Sequence, residues 1–164
     1  MTPFVIRAAR PEDANLLAEV HVDSIRTLGA VAYSAEIVAE WGAPRTGERY
    51  LKGMESGQRW FLAVQFISDG SERALGFSVY SVQAGQHRIA VYVRGEAARR
   101  GIGTALFFAA ETAARERGAS EIDIDASLGA VPFYKTVGFD ELGLGQHQLS
   151  TGGWMPAVFM RKRL

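Results

Sequence analysis

The stretch Arg88–Arg117, RIAVYVRGEAARRGIGTALFFAAETAARER, decides the fold. Ile89 to Val93 is β-branched and aromatic, the composition of a buried strand. Thr104 to Arg117 carries alanine, leucine and glutamate at helical density. Gly118 stands where a left-handed C-terminal cap belongs, and Arg115 and Arg117 suit the negative end of the dipole. Between strand and helix, Gly101 and Gly103 bracket Ile102 in a short turn. A strand–turn–helix of this kind leaves unpaired backbone N–H groups at the helix start, and glycine lets a ligand approach them. It is predicted to bind the phosphate of a small molecule. Arg88, Arg94, Arg99 and Arg100 outweigh Glu96 around the turn, a patch that suits a phosphate ester better than a polynucleotide. A dinucleotide fingerprint would need a third glycine where Leu106 stands, and a P-loop would need Gly-Lys-Ser/Thr; both are missing.

Working outward, Trp60–Ile67 and Leu75–Gln83 read as strands, joined by the turns Ser68–Ser71 and Ala84–Gln86 into an antiparallel meander with the Ile89 strand. Glu121–Ala126 alternates as a strand, with Ile122, Ile124 and Ala126 on one face and Glu121, Asp123 and Asp125 on the other. Ala130–Val137 is a short helix capped by Gly138. The tail, 140–164, ends in a strand over Trp154–Arg161, where Pro156 predicts an edge position. Toward the N-terminus, Phe4–Ala8 is a strand and Arg10–Asp13 opens a helix that ends near Leu28-Gly29. A second helix runs from Ser34 as N-cap to Trp41-Gly42, and Thr46–Ser56 is a further short one. This order predicts an α+β (mixed α/β) fold: a single domain over residues 1–164, with helices on both faces of one central, mostly antiparallel sheet.

The 164 residues suffice for one full core, and 48% hydrophobic with 22% charged residues is ordinary for a globular protein. Eighteen basic and eighteen acidic residues balance, so no global field draws the chain to nucleic acid or anionic membrane. There is no cysteine, hence no disulfide framework, thiolate metal site or cysteine nucleophile. His21, His87 and His147 lack metal-ligand spacing, and no metal is expected. With no signal-like apolar run near the start, a cytoplasmic protein is the default expectation.

Ser127–Phe139, SLGAVPFYKTVGF, is the second informative segment. Phe133 and Tyr134 read as core aromatics of a short helix, or, for Tyr134, as a general acid whose ordinary pKa matches a thiolate in need of a proton. Taken together, the opener Ile6–Ala14, Val91-Tyr92-Val93, Arg99–Leu106, Ala130–Tyr134 and Val137–Phe139 resemble the GNAT superfamily of acyl-CoA-dependent N-acetyltransferases over nearly the whole chain. The resemblance implies transfer of the acetyl group of acetyl-CoA, as co-substrate, directly to a small-molecule or peptide amine. It implies that the amides from Arg99, Arg100, Gly101, Ile102, Gly103 and Thr104 cradle the pyrophosphate. It also implies that the edge of Val91, Tyr92 and Val93 pairs with pantetheine, with one amide polarising the thioester carbonyl. It further implies that Ser127, whose hydroxyl would serve the pantetheine or cap the helix, and Phe133 lie on the cofactor side, and that Tyr134 protonates the departing thiolate. Ala98 stands where the family usually carries Arg or Gln, and Ser127 where many members carry Asn; Arg99 or Arg100 could replace the lost charge.

An amine acceptor must lose a proton, and Asp125, at the end of its strand, is the favoured carboxylate for that task. Asp123 and Asp125 equally fit a solvated or salt-bridged strand face. His21 lies on the helix that lines the acceptor side in the resembling family, but also fits a half-buried structural histidine. Acceptor specificity is expected from Ile25–Trp41 and Gly143–Trp154, with Tyr33, Trp41 and Trp154 as candidate walls. The aromatic, glycine-rich tail could supply a homodimer edge. The competing reading is a non-catalytic acyl-CoA-binding sensor or partner-binding module.

Overall fold

The computed structural model describes residues 3–164; Met1 and Thr2, the start of the expected domain, lie outside the described residues. Strand β1 (Val5–Ala8) leads through a single 3-10 turn into α1 (Ala14–Leu28), followed by α2 (Ala35–Trp41) and α3 (Glu48–Glu55). Ser34 caps α2, its hydroxyl accepting from the Ile37 N–H as the sequence predicts. Strands β2 (Arg59–Phe66), β3 (Glu72–Gln83) and β4 (Gln86–Val93) then form the meander. Ala84 and Gly85 both hold positive φ between β3 and β4, which suits a tight hairpin. Helix α4 (Ile102–Glu116), β5 (Glu121–Ser127), α5 (Val131–Thr136), β6 (Asp140–Gln148) and β7 (Trp154–Arg163) complete the chain. Gly118 and Gly138 close α4 and α5 with positive φ.

The expected central sheet is divided. β1-β2-β3-β4 form one antiparallel sheet and β5-β7-β6 a second. β4 and β5 lie side by side as the facing edges, in contact but without a hydrogen-bonded ladder. Helices cover both faces. Ile89, Val91 and Val93 of β4 pack with Leu106 and Phe107 of α4, whereas Tyr92 turns to the opposite face and joins Leu17 and Val20 of α1. The alternation of one strand thus sorts its residues between two cores.

Pro156 corrects one expectation. It sits on β7, the central strand of its sheet, not on an edge. The β5 ladder ends at Ser127 opposite Ala157, so Pro156 lies one residue past β5 and its missing N–H breaks no ladder there. Its carbonyl accepts from the Tyr33 hydroxyl at 2.5 Å, and the same hydroxyl accepts from the Leu128 N–H at 2.9 Å. Tyr33 therefore ties the segment before α2 to β7 and to the residue that follows β5.

Candidate active site

The turn before α4 is shaped by two left-handed residues, Arg99 (φ 60°) and Gly101 (φ 78°). Alternation of handedness turns successive N–H groups inward to form an anion-binding concavity. Helix α4 starts at Ile102, so Gly103 lies inside its first turn, and the N–H groups of Ile102, Gly103 and Thr104 have no intrahelical acceptor. A Cβ on Gly101 would meet open space, whereas one on Gly103 would come within 3.3 Å of the Phe133 ring. Phe133 therefore braces the first turn of α4 from α5. On the other side, the Gly95 N–H donates to Asp23 at 3.0 Å, tying the approach to α1.

The positive patch is narrower than the sequence suggested. Arg88 pairs with Asp125 at 2.9 Å, and Arg94 donates to the Ala74 carbonyl at 2.7 Å. Glu96 is engaged by Arg73. Arg99, exposed, and Arg100, half-buried, lie on the turn itself.

From the turn the site runs into the wedge between β4 and β5. Val91, Tyr92 and Val93 occupy the open edge, where main-chain groups lack a neighbouring strand. Tyr134 lies across from them, 6% exposed, its ring set edge-on to Phe133 and Phe139. Burial first, and nearby Tyr92 next, push its phenol well above the ordinary range, and only the Val91 backbone pulls the other way. The hydroxyl is thus held protonated and close to the β4 edge. Ser127 ends β5 without capping the helix that follows, and its side of the strand lines the cleft.

The wedge opens onto a cleft of about 770 Å³ on the α1–α3 side of the sheets. One wall holds Asp125, whose carboxylate accepts from Arg88 and meets His147 Nδ1 at 3.0 Å. The His147 hydrogen bond first, and Arg88 next, hold its carboxyl at about 2 although burial opposes them. Asp123, by contrast, is buried against Arg161 at 2.7 Å and stays out of the cleft. The other wall holds His21, Arg49, Lys52, Gln58 and Trp60. His21 is almost fully buried, with Nδ1 2.9 Å from the Tyr50 hydroxyl and its ring 4.1 Å from that of Tyr92. Desolvation, with Arg45 and Arg49 nearby, pushes its pKa well below the ordinary histidine range, so the ring is neutral.

A family model described as the acetyltransferase (GNAT) domain matches residues 30–164. The chain belongs to the GNAT acetyltransferases. Among solved structures, a GCN5-related N-acetyltransferase from Rhodopseudomonas palustris is 30% identical with a TM-score of 0.81, covering 100% of this chain and 97% of its own. A phosphinothricin acetyltransferase from Sinorhizobium meliloti in complex with acetyl-CoA shares the fold at 20% identity and TM-score 0.74, covering 100% and 89%. The PaiA N-acetyltransferase from Thermoplasma acidophilum in complex with coenzyme A does so at 20% and 0.71, covering 99% and 100%. No curated protein sequence matches the chain.

Of the acceptor-side expectations, Trp41 lines the cleft, Tyr33 is a structural tie, and Trp154 is 58% exposed outside it. His87 is bound to Tyr80 at 2.7 Å, away from the cleft. Arg45, Arg49, Lys52 and Trp60 belong to no recognisable motif in the sequence. The signal in the sequence is the run Arg45–Lys52, where Arg45 and, on α3, Arg49 and Lys52 stand against Glu48 as the only acid. Among the described residues, no group of His, Asp or Glu is placed to hold a metal ion, and no helix is long and apolar enough to cross a membrane.

Proposed function

We propose that this GNAT acetyltransferase moves the acetyl group of acetyl-CoA directly onto an amine nitrogen, within one N-acetyltransferase domain over residues 1–164. The observation that carries the reading is the buried, protonated Tyr134 hydroxyl at the β4 edge, with an amide cradle on one side and a substrate-sized cleft on the other. Two structures that share the fold contain acetyl-CoA or coenzyme A, which supports the choice of donor.

In this reading the N–H groups of residues 99–104 hold the pyrophosphate, and Arg99 and Arg100 supply the charge that Ala98 lacks. The β4 edge pairs with pantetheine and brings the thioester beside Val91. The amine nitrogen attacks the carbonyl carbon, a C–N bond forms, and a strand N–H stabilises the oxyanion. The C–S bond then breaks, and the thiolate takes the phenolic proton of Tyr134. The proton lost by the amine goes to His147. A carboxylate held at about 2 is a weak base, so Asp125 instead accepts from His147 Nδ1–H and leaves Nε2 to the substrate.

The test is release of CoA thiol from acetyl-CoA across a panel of amines, with the N-acetylated product identified by mass spectrometry. Tight CoA binding with no amine-dependent release on a broad panel would select the sensor reading instead.

A further inference from the structure

Four buried side-chain polar atoms lack a hydrogen-bond partner among the described residues, and three of them belong to residues around Tyr50: His21 Nε2, Trp60 Nε1 and Arg45 Nη1, the last on a guanidinium whose Nη2 donates to the Trp41 carbonyl at 2.8 Å. His21 and Trp60 line the cleft directly. The three residues meet around Tyr50. The Trp60 and Tyr50 ring centroids are 5.3 Å apart, and His21 bonds the Tyr50 hydroxyl. Arg45 acts electrostatically on both His21 and Tyr50, and Arg49 sits with its guanidinium 5.8 Å above the Tyr50 ring.

All three orphaned atoms are donors. Arginine and indole nitrogens can only donate. For His21 the tautomer follows from the pairing. The Tyr50 hydroxyl has Nδ1 as its hydrogen-bond partner; if it donates there, only Nε2–H stays unsatisfied. The opposite assignment would strand both the phenolic proton and the Nε2 lone pair. Buried donors left without acceptors are costly, and such a cluster calls for a ligand that brings oxygen acceptors.

The charge points the same way. Arg45 and Arg49 have no carboxylate partner among the described residues, while Lys52 is shared with Glu48 at 3.1 Å. Among the described residues the only carboxylate lining the cleft is Asp125, on the far wall and already claimed by Arg88 and His147. One wall is therefore cationic and rich in donors, the other able to take a proton.

We infer that the acceptor is an amine that also carries a carboxylate, in the manner of an amino acid, with its carboxylate on Arg45, Arg49 and the His21 and Trp60 N–H groups and its amine toward Tyr92 and the thioester. This rests on the transfer reading above and narrows it. Tyr92 links the two halves, since its ring packs on His21 while its neighbour Val91 is where the transfer reading places the thioester. Polyamines and aminoglycosides, polycations without a carboxylate, are repelled by such a wall.

The test is steady-state thiol release by the full chain at saturating acetyl-CoA. Each α-amino acid is compared with its own α-amide, and spermidine and kanamycin serve as carboxylate-free amines. At least one amino acid should exceed its amide by roughly ten- to hundredfold in kcat/KM. Arg49→Ala, at an exposed position, and Arg45→Lys should erase most of that preference through KM, with kcat and CoA affinity kept. Amides equal to acids, preferred polycations, or an undiminished preference in both variants would overturn the inference. If no amine were acetylated, the transfer reading would fail on its own. The carboxylate site would then be decided by calorimetric titration of N-acetylamino acids and their amides into the CoA complex, where equal binding would overturn it.

Discussion

Tyr134 shows how far a single residue can be read from sequence. Its place after Ala130–Phe133 made it the candidate acid through the family resemblance, but the sequence could not show that it turns inward from α5 against Phe133 and Phe139, or that burial first and Tyr92 next raise its pKa. With its pKa above the ordinary value, the phenol stays protonated through neutral and mildly alkaline pH. Tyr134→Phe should therefore lower kcat by about 100-fold, with CoA affinity by calorimetry unchanged. Equal turnover at every pH would remove Tyr134 from the chemistry. Asp125 is the opposite case. The alternation of β5 exposed its position, but its two partners come from β4 and β6 and leave no local trace. Its folded pKa, about 2, lies below the unfolded value. Its contribution is therefore present above pH 4 and lost as pH falls from about 4 to about 2. Asp125→Asn should cost about 2 kcal/mol at pH 7 and little at pH 2, measured by denaturant titration at both.

At the scale of elements, the strand–turn–helix was legible because its signals are local: a β-branched run, glycines at the bend and a glycine cap. The sequence misplaced two starts, since β4 begins at Gln86 and Gly103 is a helical residue, and it could not show that Arg99 joins Gly101 in the left-handed region. Gly101→Ala has room for its Cβ but the wrong φ, so it should lose about 1 kcal/mol of stability in thermal unfolding. Gly101→Glu adds a carboxylate at the mouth of the cradle. It should weaken CoA binding more than tenfold while the circular dichroism spectrum is retained. Normal CoA affinity in that variant would move the phosphate site elsewhere. Helix α3 was harder to read, because Gly47 and Gly53 weaken its helical signal. The cationic wall it carries was missed with it.

On the scale of the whole molecule, the class of fold followed from element order, but the division of the sheet did not. Nothing in the sequences of β4 and β5 marks them as neighbours that never pair; only the three-dimensional register does. Arg88 and Asp125 bridge that gap, and both are largely shielded from water. The pair should show a coupling of about 1 kcal/mol in a double-mutant cycle of Arg88→Ala and Asp125→Asn, and zero coupling would mean it does not help hold the two sheets together. Buried Tyr50, pushed up to about 12, adds to the raised Tyr92 and Tyr134. The unfolded chain gives up these protons first as pH climbs past about 10, so stability should fall there with rising pH.

The central claim is that an amine nitrogen takes the acetyl group inside the wedge between β4 and β5. Its most direct test is a single-turnover reaction with acetyl-CoA and the amine panel, counting released thiol and N-acetylated product together. Equal amounts of both, lost together in Gly101→Glu and slowed in Tyr134→Phe, are the predicted result. Saturable CoA binding with no N-acetylated product from any amine would contradict it.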